Sequence, residues 1–158
     1  MVGEFDLDAL YRPLDVQRQA KRISWTQVAR ETIVSASTLR AIRAGRRVEG
    51  DGVLAVLRWL VRSPESFMGG EVEAGFALPD VSEAELLRFD AREIYAALDD
   101  QRRKWRMTWR DVAMEIGIGS AASLTRLQEG GRVSFPSVMR ILAWLGAPAA
   151  RFVRVLPR

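Results

Sequence analysis

The chain of 158 residues contains no cysteine and no histidine. Without cysteine it can form neither a disulfide nor a thiolate metal site. Without histidine it lacks the commonest general base and the commonest metal ligand. Neither a glycine-rich phosphate loop nor a paired-carboxylate motif stands in for these residues. We therefore expect a protein that is not an enzyme, with no catalytic residues, no metal site and no cofactor.

Long hydrophobic runs are also missing. No stretch of the sequence reaches the roughly 18 apolar residues that a membrane-spanning helix needs. The segment MVGEFDLD at residues 1–8 is acidic and lacks the basic start and apolar core of a signal peptide. These absences predict a cytoplasmic protein without a membrane partner.

Positive charge is concentrated toward the two ends of the chain. Residues 1–68 contain 11 basic and 8 acidic side chains, residues 69–90 contain 1 and 6, and residues 91–158 contain 12 and 6. Two basic regions that flank an acidic connector suit a polyanionic partner such as nucleic acid. The alternative is that arginine is simply abundant, since only Lys21 and Lys104 among the basic residues are lysine.

The sequence repeats itself once. A shift of 84 residues, which becomes 85 after the first short turn, aligns about 20 identical pairs over roughly 63 positions. The identical pairs include Tyr11 with Tyr95, Arg18 with Arg102, Trp25 with Trp109, Glu31 with Glu115, Leu39 with Leu124, Gly45 with Gly130 and Trp59 with Trp144. Two long copies indicate a tandem pair of domains rather than a solenoid.

The first copy has the pattern of a small helical domain. Ser24-x-x-Gln27 and Ser35 are N-capping patterns. Leu39 and Ile42 are spaced to lie on the buried face of the helix that follows Ser35. Pro13 predicts either a kink in the first helix or a start just before the proline. Helices are expected over residues 5–22, 25–32, 36–43 and 51–61, followed by a short helix that starts at Ser63-Pro64.

The second copy repeats this order after a linker. Glycines and Pro79 mark the acidic residues 69–81 as that linker, so the expected domains are 1–68 and 82–158. Ser82-x-x-Glu85 is expected to cap a helix from 83 to about 105, and Thr108-x-x-Asp111 to cap the next one. The fourth helix recurs at 135–145. One extra residue, within 119–123, precedes the third helix of this copy.

One pattern recurs in both copies. In the first it comprises Ile23-Ser24, Val28-Ala29, Val34-Ser35, Thr38-Leu39, Ile42, Gly45 and Arg46-Arg47. In the second it comprises Met107-Thr108, Val112-Ala113, Gly117-Ile118, Ser123-Leu124, Leu127, Gly130 and Arg132. These residues resemble the Cro/repressor-type helix-turn-helix family, also called xenobiotic-response-element-like. The resemblance implies an all-α fold of two tandem repressor-like five-helix helix-turn-helix domains, each with its third helix in the major groove.

Two departures from the family pattern have expected consequences. Ile33 stands where the turn of the family has glycine, which predicts an altered or strained turn. The extra residue within 119–123 predicts that the third helix of the second copy is shifted along its axis.

The resemblance also transfers DNA-contacting positions one by one. The base-reading positions fall on Ala36, Ser37, Arg40 and Ala41, and on Ala121, Ala122, Thr125 and Arg126. Arg43 and Gln128 complete the outward faces of the same two helices. The phosphate positions fall on Trp25, Thr26, Trp109 and Arg110, and the basic-loop positions on Arg46, Arg47 and Arg132. The alternative for Trp25 and Trp109 is packing at the edge of the core.

The expected function is that of a repressor-like, DNA-binding transcriptional regulator. Its two helix-turn-helix units would occupy neighbouring major grooves of double-stranded DNA. Arginine can contact guanine through two hydrogen bonds, whereas alanine can only meet the methyl group of thymine. Few bases should therefore be read directly, and DNA shape should contribute to the preference. The alternative is a protein-interaction module that keeps the fold without sequence-specific DNA binding. A homodimer and a further protein partner stay open.

Overall fold

The computed structural model describes residues 7–46, 48–67, 78–79, 81–82, 84–131 and 133–157. Over these residues the fold is mainly α. The α-helices are α1 Leu7–Lys21, α2 Trp25–Thr32, α3 Ala36–Arg43, α4 Gly50–Leu60, α5 Ala91–Lys104, α6 Trp109–Ile116, α7 Ala121–Thr125 and α8 Phe135–Leu145. Short 3₁₀ turns lie at Pro64–Phe67, Arg126–Glu129 and Ala149–Phe152, and the strands are β1 Glu85–Phe89 and β2 Val153–Pro157. Within the described ranges, none of the helices combines the length and the apolarity needed to cross a bilayer.

A small antiparallel sheet joins the beginning and the end of the second copy. β1 and β2 pair in register, from Glu85 opposite Pro157 to Phe89 opposite Val153. The expected all-α class is therefore wrong in this detail, because a two-stranded sheet accompanies the helices.

The helix expected from residue 83 is wrong at its start, since residues 85–89 form β1. Leu87 and Phe89 are buried at alternate positions, as in a strand that is covered on one face. Asp90 then begins a new helix, because its carboxylate accepts a hydrogen bond from the Glu93 amide at 3.1 Å. The partner strand lies far along the chain, so the local capping pattern gave no sign of it.

The other capping patterns are confirmed. The hydroxyls of Ser24 and Ser35 each accept a hydrogen bond, at 3.1 Å, from the amide three residues later. Thr108 and Asp111 form a full capping box, with hydrogen bonds of 2.9 and 3.1 Å. Such caps satisfy amides that have no partner within the helix, and each contributes about 0.5–2 kcal/mol.

The first helix starts several residues before Pro13. α1 begins at Leu7 and continues through Pro13. A start just before the proline is therefore wrong.

The extra residue of the second copy lies in the turn before α7. Gly117 ends α6, and Ser120 caps α7 at the position equivalent to Ser35. α3 and α7 therefore start at equivalent residues. They differ in length, because α7 has five residues and continues as the 3₁₀ turn Arg126–Glu129.

Among the described residues, each copy places one residue in the left-handed conformation at four matching turns, and at two of these a branched residue of the first copy matches a glycine of the second. After α2 and α6 these residues are Ile33, at φ 55°, and Gly117, at φ 83°. After α4 and α8 they are Val61, at φ 55°, and Gly146, at φ 66°. A side chain in this region costs roughly 1–2 kcal/mol, a strain that glycine does not have. The turn at Ile33 is therefore strained, which is one of the two outcomes expected of it.

The buried side chains of both copies form one continuous core. α4 packs against α8, and β1 packs against α4. Leu14 of α1 and Leu98 of α5 are equivalent residues, and both are fully buried. Most of the expected linker lies outside the described residues, so the domain boundaries stay a prediction. Leu78 and Val81 near its end pack against the core.

Candidate nucleic-acid interface

α3 presents a small and basic outer surface. Leu39 and Ile42 are its buried residues, as the sequence predicts. Apart from half-buried Thr38, the other residues form a surface that we call the α3 face, which comprises exposed Ala36, Ser37, Arg40 and Arg43 and half-buried Ala41. Because α1 and α2 pack against α3 through its buried residues, the α3 face is turned to solvent.

Positive charge on the α3 face continues into the loop that follows it. From residue 32 to residue 48 the only charged side chains are arginines. The side chains of Arg40, Arg43 and Arg46 are exposed. Arg47 lies outside the described residues. An exposed helix and loop whose charges are all positive are suited to a phosphate backbone.

Trp25, the first residue of α2, is half-buried in a stack of aromatic and cationic groups. Its ring centroid lies 5.7 Å from that of Tyr11, with 18° between the planes. The guanidinium carbons of Arg18 and Arg43 each lie 4.9 Å from the Trp25 centroid. These contacts favour the packing role for Trp25, and its contact with phosphate stays a prediction. They also hold Arg43 at the edge of the α3 face.

The second copy repeats this stack without the outer arginine. The ring centroids of Tyr95 and Trp109 are 5.2 Å apart with 20° between the planes, and the Arg102 guanidinium carbon lies 4.9 Å from Trp109. Gln128 occupies the position equivalent to Arg43. Thr26 and Arg110, which follow the two tryptophans, are both exposed.

Arg18 and Arg102 have a structural role for which the family pattern has no position. Each guanidinium pairs with the aspartate three residues earlier and donates to the carbonyl five residues later. The distance to the aspartate oxygen is 2.8 Å for Arg18 and 2.6 Å for Arg102. The distance to the carbonyl oxygen is 3.1 Å for Arg18 and 3.0 Å for Arg102. The signal that could have revealed them is their identity in the repeat together with that of the two aspartates. A shared ion pair in otherwise divergent copies indicates a shared local structure.

A hydrogen bond that occurs in both copies joins the helix before α3 to the helix after it. The indole nitrogen of Trp59 in α4 donates to the Glu31 carboxylate of α2 at 2.8 Å, and Trp144 donates to Glu115 at the same distance. The hydrogen bond from Trp59 is the main cause that lowers the pKa of Glu31, and the nearby Lys21 ammonium adds to it. Glu31 is therefore ionised at neutral pH, and α2 is tied to α4 while α3 stays uncovered.

The corresponding surface of the second copy is less basic. This surface, the α7 face, comprises half-buried Ala121 and Thr125 and exposed Ala122, Arg126 and Gln128. Leu124 and Leu127 are buried behind it. The Thr125 hydroxyl donates to the Ala122 carbonyl at 3.3 Å, and exposed Glu129 brings a negative charge next to this face. Arg132 lies outside the described residues.

An open cleft of about 730 Å³ lies on the second copy and is also lined by Gly45 of the first. Its lining includes Ser123 and Arg126 of the α7 region, Arg140 of α8, and Gly45 from the loop after α3. Arg140 also donates to the Gly117 carbonyl at 3.0 Å. The loop of the first copy therefore lies beside the α7 region of the second.

Comparison with protein-family models, curated proteins and solved structures gave no match for this chain.

Proposed function

We propose that the chain is a repressor-like, DNA-binding transcriptional regulator with two tandem helix-turn-helix units in neighbouring major grooves of one duplex. The observation that carries this proposal is the exposed surface formed by the α3 face and Arg46. Every charged side chain from residue 32 to 48 is an arginine, and three of them are exposed on this surface. A surface of this kind attracts a polyanion.

The local geometry supports the same proposal. α2 and α3 are eight residues each, are joined by a short turn, and are both capped by serine. In helix-turn-helix proteins the first helix crosses the DNA backbone and the second lies in the major groove. The first residues of the α3 face, Ala36 and Ser37, are small, so the helix backbone can approach base edges closely. Arg40 and Arg43 follow on the same exposed side.

The chemistry of the two faces favours modest specificity. Arg40 and Arg126 can each form paired hydrogen bonds with guanine, for about 1–3 kcal/mol of discrimination per pair. The alanines can only contact thymine methyl groups. Arg46 follows the α3 face in a loop, where a phosphate is the natural partner. Part of the preference should therefore come from DNA shape rather than from base contacts.

The test is a titration of random-sequence duplex DNA with the protein, followed by fluorescence anisotropy at several salt concentrations. Binding should weaken linearly on a log–log plot against salt, with a slope of about −0.9 per phosphate contact. Replacing Arg46 by alanine should reduce the slope by about one contact. Arg62→Ala is the matched control, because exposed Arg62 lies at the other end of α4 and stacks on Phe67.

Absence of binding at low salt would refute the proposal. That result would favour the alternative, a protein-interaction module that keeps the fold without sequence-specific DNA binding. An Arg62→Ala variant that changes the slope as much as Arg46→Ala would also contradict the placement of the interface on the α3 face.

A further inference from the structure

The two copies contact each other through reciprocal hydrogen bonds. In the repeat, Val48 is equivalent to Val133, and Gly50 to Phe135. The Gly50 amide donates to the Val133 carbonyl at 3.0 Å, and the Phe135 amide donates to the Val48 carbonyl at 3.1 Å. Exchanging the two copies turns one hydrogen bond into the other.

Equivalent residues also meet each other at one place, and residues one position away from equivalence meet at another. Between the reciprocal hydrogen bonds, Glu49 forms an antiparallel bridge with Ser134, its own equivalent. Elsewhere the Ala149 amide donates to the Glu65 carboxylate at 2.6 Å. Ala149 is equivalent to residue 64, and Glu65 to residue 150, so this contact too joins near-equivalent positions. α4 packs against α8, which is its equivalent helix.

This pattern defines an internal two-fold axis. Contacts between equivalent residues, exchanged reciprocally, are the mark of an isologous interface. A head-to-tail pair would instead join different surfaces of the two copies. The axis therefore passes near Glu49 and Ser134 at one place and near Glu65 and Ala149 at the other.

The axis fixes how the two candidate faces are placed. Along the chain, Arg46 lies three residues before Glu49, and Gly130 and Gly131 lie shortly before Ser134. Both faces therefore flank the same end of the axis. The cleft lined by Gly45 and Arg126 agrees with this placement. The contact of Glu65 with Ala149 lies beyond the other ends of α4 and α8.

From this symmetry, and resting on the proposed function, we infer that one chain binds one imperfect inverted repeat, with one copy on each half-site. B-form DNA has two-fold axes perpendicular to its length, so a two-fold protein meets both backbone halves alike when the axes coincide. A direct repeat would require two copies in the same orientation, which the reciprocal contacts exclude.

The two half-sites are expected to differ in their guanine positions. Arg40 is equivalent to Thr125, and Arg126 to Ala41. The two base-reading arginines therefore sit one residue apart in the repeat. A dissociable pair of identical chains would present the same side chains to both halves, whereas this chain does not.

Because the chain contains no cysteine, a single introduced cysteine can be labelled specifically. A duplex is first enriched from a random library with the unmodified protein. Ala44→Cys and Glu129→Cys, which replace equivalent exposed residues next to the α3 face and the α7 face, are then each labelled with an iron–EDTA group that cleaves nearby DNA. We expect the two cleavage patterns on opposite strands, related by a two-fold operation about one centre. One chain per duplex should be found by native mass spectrometry. Ser66→Cys, an exposed position beyond the far end of α4, is the control and should give little cleavage.

The outcomes separate the two proposals. Two patterns on the same strand, displaced along the duplex, would overturn the inverted repeat and leave DNA binding intact. A requirement for two chains per duplex would likewise overturn the inference. Failure to enrich any duplex, with no salt-dependent binding, would refute the proposed function and the inference with it.

A measurement without DNA tests the axis itself. Residues that face each other across an antiparallel bridge of this type have Cα atoms about 4.5 Å apart, within the range for a disulfide. A Glu49→Cys/Ser134→Cys double variant should therefore form an intramolecular disulfide on mild oxidation, detected as a mobility change on a denaturing gel. Persistently free thiols in the folded variant would contradict the two-fold interface.

Discussion

Replacing Val61 by glycine should stabilise the protein. Val61 follows α4 with φ 55°, and its side chain is 83% exposed. Its amide already bonds to the carbonyls of Leu57 and Arg58, and glycine would keep those hydrogen bonds. Because so little of the side chain is buried, its removal loses little packing. The equivalent residue in the second copy, Gly146, already has the side-chain-free form at φ 66°.

The magnitude follows from two opposing terms. Relief of the left-handed strain is worth roughly 1–2 kcal/mol. The greater freedom of glycine in the unfolded chain offsets about 0.5–1 kcal/mol of that. The free energy of unfolding should rise by about 0.5–1 kcal/mol. For a chain of this length, the melting temperature should rise by about 1–4 °C.

Urea unfolding of three variants would measure the effect. Val61→Gly should have a higher midpoint than the unmodified protein, and Val61→Ala should gain less because alanine keeps part of the strain. The reverse change, Gly146→Val, should lower the midpoint. A midpoint that is unchanged or lower in Val61→Gly, together with a neutral Gly146→Val, would refute the reasoning from backbone strain.

Three further predictions follow from packing, capping and charge. Leu98→Ala removes a fully buried side chain and should lower the free energy of unfolding by about 2–5 kcal/mol in denaturant titrations. Val16→Ala, at a 62% exposed position, should change that free energy little. Equal effects of the two changes would contradict the placement of Leu98 in the core. Asp111 has its pKa lowered, mainly by the hydrogen bond from the Thr108 amide, so its stabilisation is complete above the unfolded pKa and is lost as the pH falls through the lower folded value. The stability difference between the protein and Asp111→Asn should therefore shrink under acid conditions, and a difference that does not vary with pH would argue against this origin. Arg40→Ala should relax the base preference at one half-site by about 1–3 kcal/mol without changing the other, as measured by competition between duplexes, and uniform loss at both half-sites would contradict direct readout.

The helices around the candidate site could be predicted because their signals are local. Ser24 and Ser35 cap amides only three residues away, and Leu39 and Ile42 lie one helical turn apart. Each of these patterns depends on a few neighbouring residues, whatever the rest of the chain does. The exposed position of Arg40 followed from the same spacing.

The sheet and the contact between copies could not be predicted in this way. Leu87 fits a helical stripe with Ile94 and Leu98, but it also fits a strand with Phe89, and pairing with β2 decides between them. The bridge between Glu49 and Ser134 depends on register across the whole repeat, which no local pattern records. The stack of Arg43 on Trp25 joins residues whose side chains meet only after α2 and α3 have packed. Arg47 and Arg132, which the sequence also assigned to DNA, lie outside the described residues.

The contact between Gly50 and Val133 also affects how the paired state depends on protein concentration. In a homodimer the partners separate on dilution, so the amount of paired species depends on the square of the protomer concentration. Here both partners belong to one chain, and their local concentration is set by the connecting segment rather than by the cell. If duplex DNA is the partner, occupancy should rise with the first power of protein concentration, with a Hill coefficient near one. The response to changes in expression would then be graded, without the threshold that a dissociating dimer imposes.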